Sequence, residues 1–196
     1  MSFLARALPA TRTLAFAPRT VTRSTRIPQY TMAARSLQTA AQVKPGDKVP
    51  SVEIKVDAMD KRVDFSSLKG KNIIVTVPGA FTPTCSSQVP GFIADADKFA
   101  AKGVNGIYVV SVNDLFVVNA WKKSMGAPDS VKFAADDKSE LAHALGTVLD
   151  ATAGLGGLRF KRTVIVIEDG KIVDVVVEGD SSKSTDTAAD KVLAKL

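Results

Sequence analysis

The feature that most constrains this chain is the run Asn72-Ile73-Ile74-Val75-Thr76-Val77, which stops at Pro78 with a second proline at Pro83. A β-branched run of this length reads as a buried strand, and the prolines end its ladder because they carry no N–H to donate. From Thr84 onward helix formers take over, with Val89, Phe92, Ile93, Ala96 and Phe99 at roughly helical spacing up to Gly103. Pro90 and Gly91 are expected to kink that helix. Further strand candidates lie at residues 51–56, 106–112, 131–135, 163–168 and 172–177, with helical patterns at 84–102, 114–124 and 139–145. Such alternation implies an α/β sandwich. Asp169-Gly170 between two apolar runs signals a tight hairpin, so the sheet is mixed, and residues 185–196 read as a closing helix with Ser184 as its cap.

Cys85 is the only cysteine, and it falls in or beside the first turn of the helix that follows the proline-ended strand. There the unpaired backbone N–H groups and the positive end of the macrodipole favour a thiolate. Holding a cysteine ionised somewhat below neutral pH takes roughly 3.4 kcal/mol of differential stabilisation. A helix terminus supplies only about 0.3 to 1 kcal/mol, and about 2 when partly buried. A cation about 4 Å away adds up to roughly 4 kcal/mol at an effective dielectric near 20. The placement therefore calls for an arginine brought from elsewhere in the chain.

Pro78, Thr82 and Cys85 stand as Pro-x-x-x-Thr-x-x-Cys within Val77-Pro78-Gly79-Ala80-Phe81-Thr82-Pro83-Thr84-Cys85-Ser86. This stretch resembles the active-site motif of peroxiredoxins, and specifically the type-five subfamily that includes plant type II and fungal members. The likeness runs from about Val43 to the C-terminus and includes residues 110–114 and Lys161-Arg162 opening residues 163–170. It implies a thioredoxin-like fold, a mixed central sheet flanked by helices, and it makes Arg162 the cation sought above. It also implies catalytic roles for Cys85 as peroxidatic nucleophile and for Thr82, Arg162 and Pro78, with Thr84, Gly79 and Phe81 binding substrate. The expected activity is a thiol-dependent peroxidase acting on hydrogen peroxide and organic hydroperoxides, and extending to peroxynitrite.

The chemistry can be stated without the likeness. A thiolate attacking a peroxide oxygen expels hydroxide or alkoxide, so charge spreads along the S–O–O line and both oxygens must be held. Thr82 offers a hydroxyl that accepts from the peroxide and donates to the sulfur; Arg162 and the N–H groups around Thr84 and Cys85 offer donors. Pro78 walls the thiolate from water. The product is a sulfenic acid, which a second thiol must reduce.

Three departures from the pattern carry consequences. Residues 179–186 hold no second cysteine, so no resolving disulfide forms within the chain. The reading is a one-cysteine peroxidase that needs no cofactor beyond an external thiol reductant such as glutathione with glutaredoxin, or thioredoxin. Ser86-Ser87-Gln88-Val89-Pro90 lacks the histidine common there and is one residue shorter, which points to altered early-helix geometry. Thr163 follows the arginine where an aromatic is usual.

Residues 1–43 contain six arginines and no acidic residue, a composition that reads as a mitochondrial transit peptide cleaved between Arg35 and Val43, directing the protein to the matrix. Initiation at Met32 would leave a cytosolic form. Those arginines account for the whole net charge of +6, so residues 44–196 are balanced and the basic pI does not indicate nucleic acid. No run is long and apolar enough for a membrane span. Residues 44–196 suit one domain.

The remaining singled-out residues favour plain readings. His143 reads as a helix-surface or half-buried residue, and one histidine with one cysteine makes a poor metal set. Trp121 and Phe116 read as core or subunit contacts. Gly154-Leu155-Gly156-Gly157-Leu158 reads as a mobile loop, which the family likeness places with Phe81 and Phe116 on a homodimer face. The competing function is a thioredoxin-like glutathione-dependent or binding module without peroxidase activity; Thr82 stands where a disulfide reductase would need its first cysteine.

Overall fold

The proline-ended run becomes the middle of a sheet in the computed structural model of the protein, which describes residues 39–196. In chain order the strands are β1 (Glu53–Val56), β2 (Ala58–Asp64), β3 (Lys71–Val77), β4 (Val104–Ser111), β5 (Val131–Ala135), β6 (Val148–Asp150), β7 (Leu158–Phe160), β8 (Thr163–Glu168) and β9 (Lys171–Val177). The helices are α1 (Pro83–Ala94), α2 (Ala96–Ala101), α3 (Leu115–Ser124), α4 (Glu140–Ala144), α5 (Thr152–Leu155) and α6 (Ala189–Lys195). Seven strands form one sheet in the order β2-β1-β5-β4-β3-β8-β9, and β6 pairs with β7 apart from it.

β3, β4 and β5 are parallel, with α1–α2 and α3 as the crossovers that parallel pairing demands. β8 then lies antiparallel on β3, and β9 on β8 through the Asp169-Gly170 turn, where both residues have positive φ. Alternation along β3 splits the core in two. Ile73, Val75 and Val77 pack with Phe92, Phe99, Trp121 and Phe133 under α1–α3 and α6. Ile74 packs with Tyr108, Val110, Ile165 and Ile167 under Phe65, Leu141, Leu145 and Phe160. Burial on both faces is why the run shows no polar alternation.

Several expectations change. The helix expected over 84–102 is two helices, and the break falls at Asp95, not at Pro90, which sits inside α1. A proline forfeits one backbone bond but holds a helical φ, whereas Asp95 turns the chain at φ −97° and ψ 11°. The closing helix starts at Ala189 behind Ala188, so Ser184 caps nothing; residues 185–187 are committed to Glu178 instead. The glycine-containing segment is not a structureless loop: α5 and the β6–β7 pair order it, and Gly156 ends α5 at φ 75°. β2 escaped notice because its residues 59–62 are exposed and lack an apolar pattern. His143 is buried, not a helix-surface or half-buried residue, with Nδ1 donating to the Ser139 carbonyl at 2.6 Å.

The transit-peptide reading falls on residues 1–38, outside the described residues. Residues 40–43, which it also included, pack on the domain: Ala40 N–H donates to His143 O (3.0 Å) and Val43 N–H to Leu145 O (3.1 Å). Gly146 (φ 66°) allows that approach, since a Cβ there would lie 2.5 Å from the Ala41 backbone.

Candidate active site

Cys85 lies in the first turn of α1, third after Pro83 and Thr84, with its side chain fully buried. Thr82 is the N-cap by backbone position but makes no side-chain cap bond. Its hydroxyl donates to Gly79 O at 3.0 Å. The expectation that this hydroxyl donates to sulfur is therefore corrected: its proton is spent on Gly79, and its lone pairs remain to accept. Pro83 has no N–H, and the Thr84 and Cys85 N–H groups belong to the turn that no intrahelical carbonyl reaches.

Arg162 arrives from the opposite side of β3. Thr76, the one polar residue within the buried part of β3 after Asn72, donates to the carbonyls of Lys161 (3.0 Å) and Thr163 (3.3 Å), on either side of Arg162. Glu178 N–H donates to Arg162 O at 3.0 Å. With the backbone so held, strand alternation puts Arg162 on the same face as Val164, which is the face α1 covers. Arg162 is only 1 % exposed. Its Nη2 donates to Cys85 Sγ at 3.4 Å and to Ser181 O at 3.0 Å, Nε to Ser181 O at 3.1 Å, and Nη1 to Gln88 Oε1 at 2.6 Å. None of the ion pairs among the described residues involves Arg162. A buried guanidinium without a carboxylate is costly unless some other anion meets it, and Cys85 is the group in contact that can become one.

Pro78 and Gly79 are buried against this site. Asn113 Oδ1 accepts the Ala80 N–H at 3.0 Å and so pins the loop between β3 and α1. Gly79 lies close to its neighbours: a Cβ there would sit a tight 3.3 Å from Thr82 Cγ2 and in ordinary contact, 3.8 Å, with Arg159 Nη1 and Asn113 Oδ1. Phe81 takes a left-handed backbone (φ 61°), is 54 % exposed, and lies 6.5 Å from the Trp121 ring between centroids. Thr84 directs its hydroxyl to Ser182 O at 2.9 Å, so only its backbone faces the site. Trp121 is core, whereas Phe116 is exposed.

The structure thus joins Cys85, Thr82, Arg162, Pro78 and Gly79, leaves Phe81 at the rim, and adds residues that sequence reasoning passed over. Gln88 is one; its place three residues after Cys85 on a helix puts the two on one face, a signal that was readable. Asn113 belongs to residues 110–114, which carry part of the likeness, whereas Ser181, Thr187, Glu178 and Arg159 had no local signal. Arg159 donates to Val112 O and Leu155 O, both at 2.7 Å, and so locks α5 against the end of β4. A cavity of about 690 Å³ is lined by Asp57, Lys61, Lys122 and Lys132 among others and holds none of these groups.

Residues 44–193 match the family described as Redoxin. Peroxisomal membrane associated protein 20 of Schizosaccharomyces pombe is 49% identical over 156 residues, covering 79% of this chain and 99% of the relative. Peroxiredoxin-2F, mitochondrial, of Arabidopsis thaliana is 38% identical over 130 residues, 65% of each chain. Among solved structures, reduced Prx3 in complex with H2O2 from Vibrio vulnificus superposes with a TM-score of 0.73 at 33% identity, covering 79% of this chain and 96% of that one. Motif, thioredoxin-like fold and relatives agree, and the single cysteine places the chain within a subtype: it belongs to the peroxiredoxins, as a thiol peroxidase of the type-five, one-cysteine kind.

Proposed function

We propose that Cys85 is the peroxidatic nucleophile of this thiol peroxidase, and that its sulfenic acid is resolved by an external thiol. The observation that carries this is the buried Arg162, donating to Cys85 Sγ at 3.4 Å with no carboxylate on it among the described residues. The thiolate attacks the terminal oxygen of R–O–OH; an S–O bond forms, the O–O bond breaks, and RO⁻ leaves to take up a proton. Thr82 Oγ accepts a hydrogen bond from the hydroperoxide O–H, because its own proton is spent on Gly79. Arg162 and the Thr84 and Cys85 N–H groups hold the oxygens as charge moves along them. Pro78 and Gly79 keep water out, and Phe81 forms the outer wall that meets an organic substituent. The H2O2 complex of the Vibrio vulnificus neighbour supports hydrogen peroxide as a substrate here; organic hydroperoxides and peroxynitrite present the same O–O bond.

Sulfur that is fully buried cannot meet a bulky thiol, so the first turn of α1 opens before reduction. The reducing thiol, from glutathione with glutaredoxin or from thioredoxin, forms a mixed disulfide at Cys85 with loss of water; a second thiol releases Cys85. Exposed Phe81, Phe116 and Leu158 supply the apolar face of a homodimer. An arginine-rich, acid-free leader supports delivery to the mitochondrial matrix, with removal upstream of Ala40, where packing on the domain begins; a start at Met32 yields the cytosolic form.

Stopped-flow mixing of the reduced chain with hydrogen peroxide tests the reading through Trp121 fluorescence and thiol titration. Cys85 is expected to be consumed far faster than free cysteine, C85S to show no reaction, and R162M to react about 100-fold more slowly or worse. A Cys85 no faster than free cysteine would sink the assignment.

A further inference from the structure

A chain of hydrogen bonds with only one possible direction runs from Arg162 into the C-terminal segment. Arg162 can only donate, and an ionised Glu178 can only accept. Between them Gln88 Oε1 accepts from Arg162 Nη1 at 2.6 Å, and Gln88 Nε2 donates to Thr187 Oγ1 at 2.9 Å and to Thr187 O at 3.0 Å. Thr187 Oγ1 in turn donates to Glu178 Oε1 at 3.0 Å. The carboxylate also takes Thr185 N–H (2.6 Å), Thr187 N–H (2.9 Å) and the Thr185 hydroxyl (2.9 Å). Gln88, Thr187 and Glu178 are all buried.

We infer that Glu178 is a positioning residue for the peroxidase reaction, acting through Thr187 to fix the Gln88 amide with its oxygen toward Arg162 and so to hold the guanidinium on Cys85. This rests on the roles given above to Cys85 and Arg162. A side-chain amide has two orientations related by a flip, and the wrong one sets its NH2 against the guanidinium, donor facing donor. The Thr187 carbonyl, which can only accept, disfavours the wrong orientation, and the carboxylate closes the option that the Thr187 hydroxyl would otherwise leave open. By taking the Thr187 proton it leaves Thr187 Oγ1 with lone pairs alone to offer, so the Gln88 NH2 must turn to Thr187 and its oxygen to Arg162. Distance matters as much as direction. A carboxylate touching Arg162 would compete with the thiolate for the same cation; one placed behind a hydroxyl and an amide orients the cation without neutralising it. Glu178 also gathers residues 185–187, closing the segment that presents Ser181 O to Nε and Nη2 of Arg162. Burial works against the Glu178 carboxylate, and the hydrogen bonds from Thr187 and Thr185 outweigh it, holding the group below the usual glutamate range.

Valine matches threonine in shape without the hydroxyl, and serine keeps the hydroxyl without the methyl, so the pair separates direction from packing. In stopped flow with hydrogen peroxide, T187V is expected to react about tenfold more slowly than the unaltered chain and T187S within about twofold of it. E178Q, of unchanged size, is expected to be slowed at least about threefold and serves if T187V fails to fold by circular dichroism. A folded T187V at the unaltered rate, a T187S as slow as T187V, or an E178Q at the unaltered rate overturns the inference. Failure of the Cys85 assignment itself would look different, since then the unaltered chain would show no fast reaction at all.

Discussion

Three helices start directly beyond a parallel strand, and their first turns are finished differently. After β4, Asp114 accepts the Val117 N–H of α3 at 3.0 Å. After β5, Asp136 sends both oxygens into the first turn of α4, to Leu141 N–H (3.2 Å) and Ala142 N–H (2.9 Å). After β3, α1 receives no side-chain cap, and the group at its positive end is the Cys85 sulfur. The contrast locates the chemistry. A carboxylate satisfies a helix terminus and ends its reactivity, whereas a thiol beside an arginine leaves donors available to a third party, the peroxide. That availability costs α1 the stabilisation of about 1 kcal/mol that a cap contributes.

Making the three termini alike is the severest test. T82D would give α1 the capping carboxylate its neighbours have; it should raise the melting temperature, yet slow the peroxide reaction by about 100-fold, because the new anion takes the donors and competes for Arg162. A T82D variant that reacts at the unaltered rate would break the comparison. Uncapping α3 is the milder converse. D114A should cost about 1 kcal/mol in a urea titration while the rate constant with peroxide stays within about twofold.

Acid separates the regions more gently. Burial pushes Asp136 above the ordinary aspartate value of 3.8, against the hydrogen bonds from Ala142, Leu141 and Glu140. Glu178 lies below the ordinary 4.5, its hydrogen bonds outweighing burial. Native Glu178 binds its proton more weakly than the unfolded chain does, so its contribution is present above pH 4.5 and is lost as pH falls below that through the native value. Native Asp136 binds its proton more tightly, so its contribution runs the opposite way: stability rises as pH falls through its native value toward 3.8. Urea midpoints against pH should therefore show E178Q losing less stability than the unaltered chain below pH 4.5, and D136N lacking the gain above pH 3.8. Equal slopes for both variants would refute the assignment of these two carboxylates to opposite regimes.

Much of this was legible in the chain because it depends on near neighbours. β5 and β8 fall on their expected residues, and Asp169-Gly170 turns as a hairpin, since periodicity and turn chemistry are local. The helix boundaries at Asp95 and Ala189 were not legible. At Ala189 the contacts decide: Thr185 and Thr187 stand in the segment read as helix, but their N–H donors belong to Glu178, which precedes them by seven and nine residues. The ordering of residues 148–160 was hidden for the same reason, because Arg159 is anchored to Val112, 47 residues earlier.

The sequence by itself determined that one thiol would stand in or beside the first turn of a helix after a proline-ended strand, that a cation would be needed, and that no second cysteine in the chain could resolve the product. It could name Arg162 only through likeness to a family. Tertiary structure decided how that arginine is used. Arg162, 77 residues along the chain from Cys85, has its flanking carbonyls held by Thr76 and its guanidinium by Ser181 and Gln88, and Gln88 in turn is held by Thr187 and, behind it, Glu178. Those partners meet only when β8 and β9 pair beside β3, because hydrogen bonds specify direction and distance, which a linear order of residues does not contain.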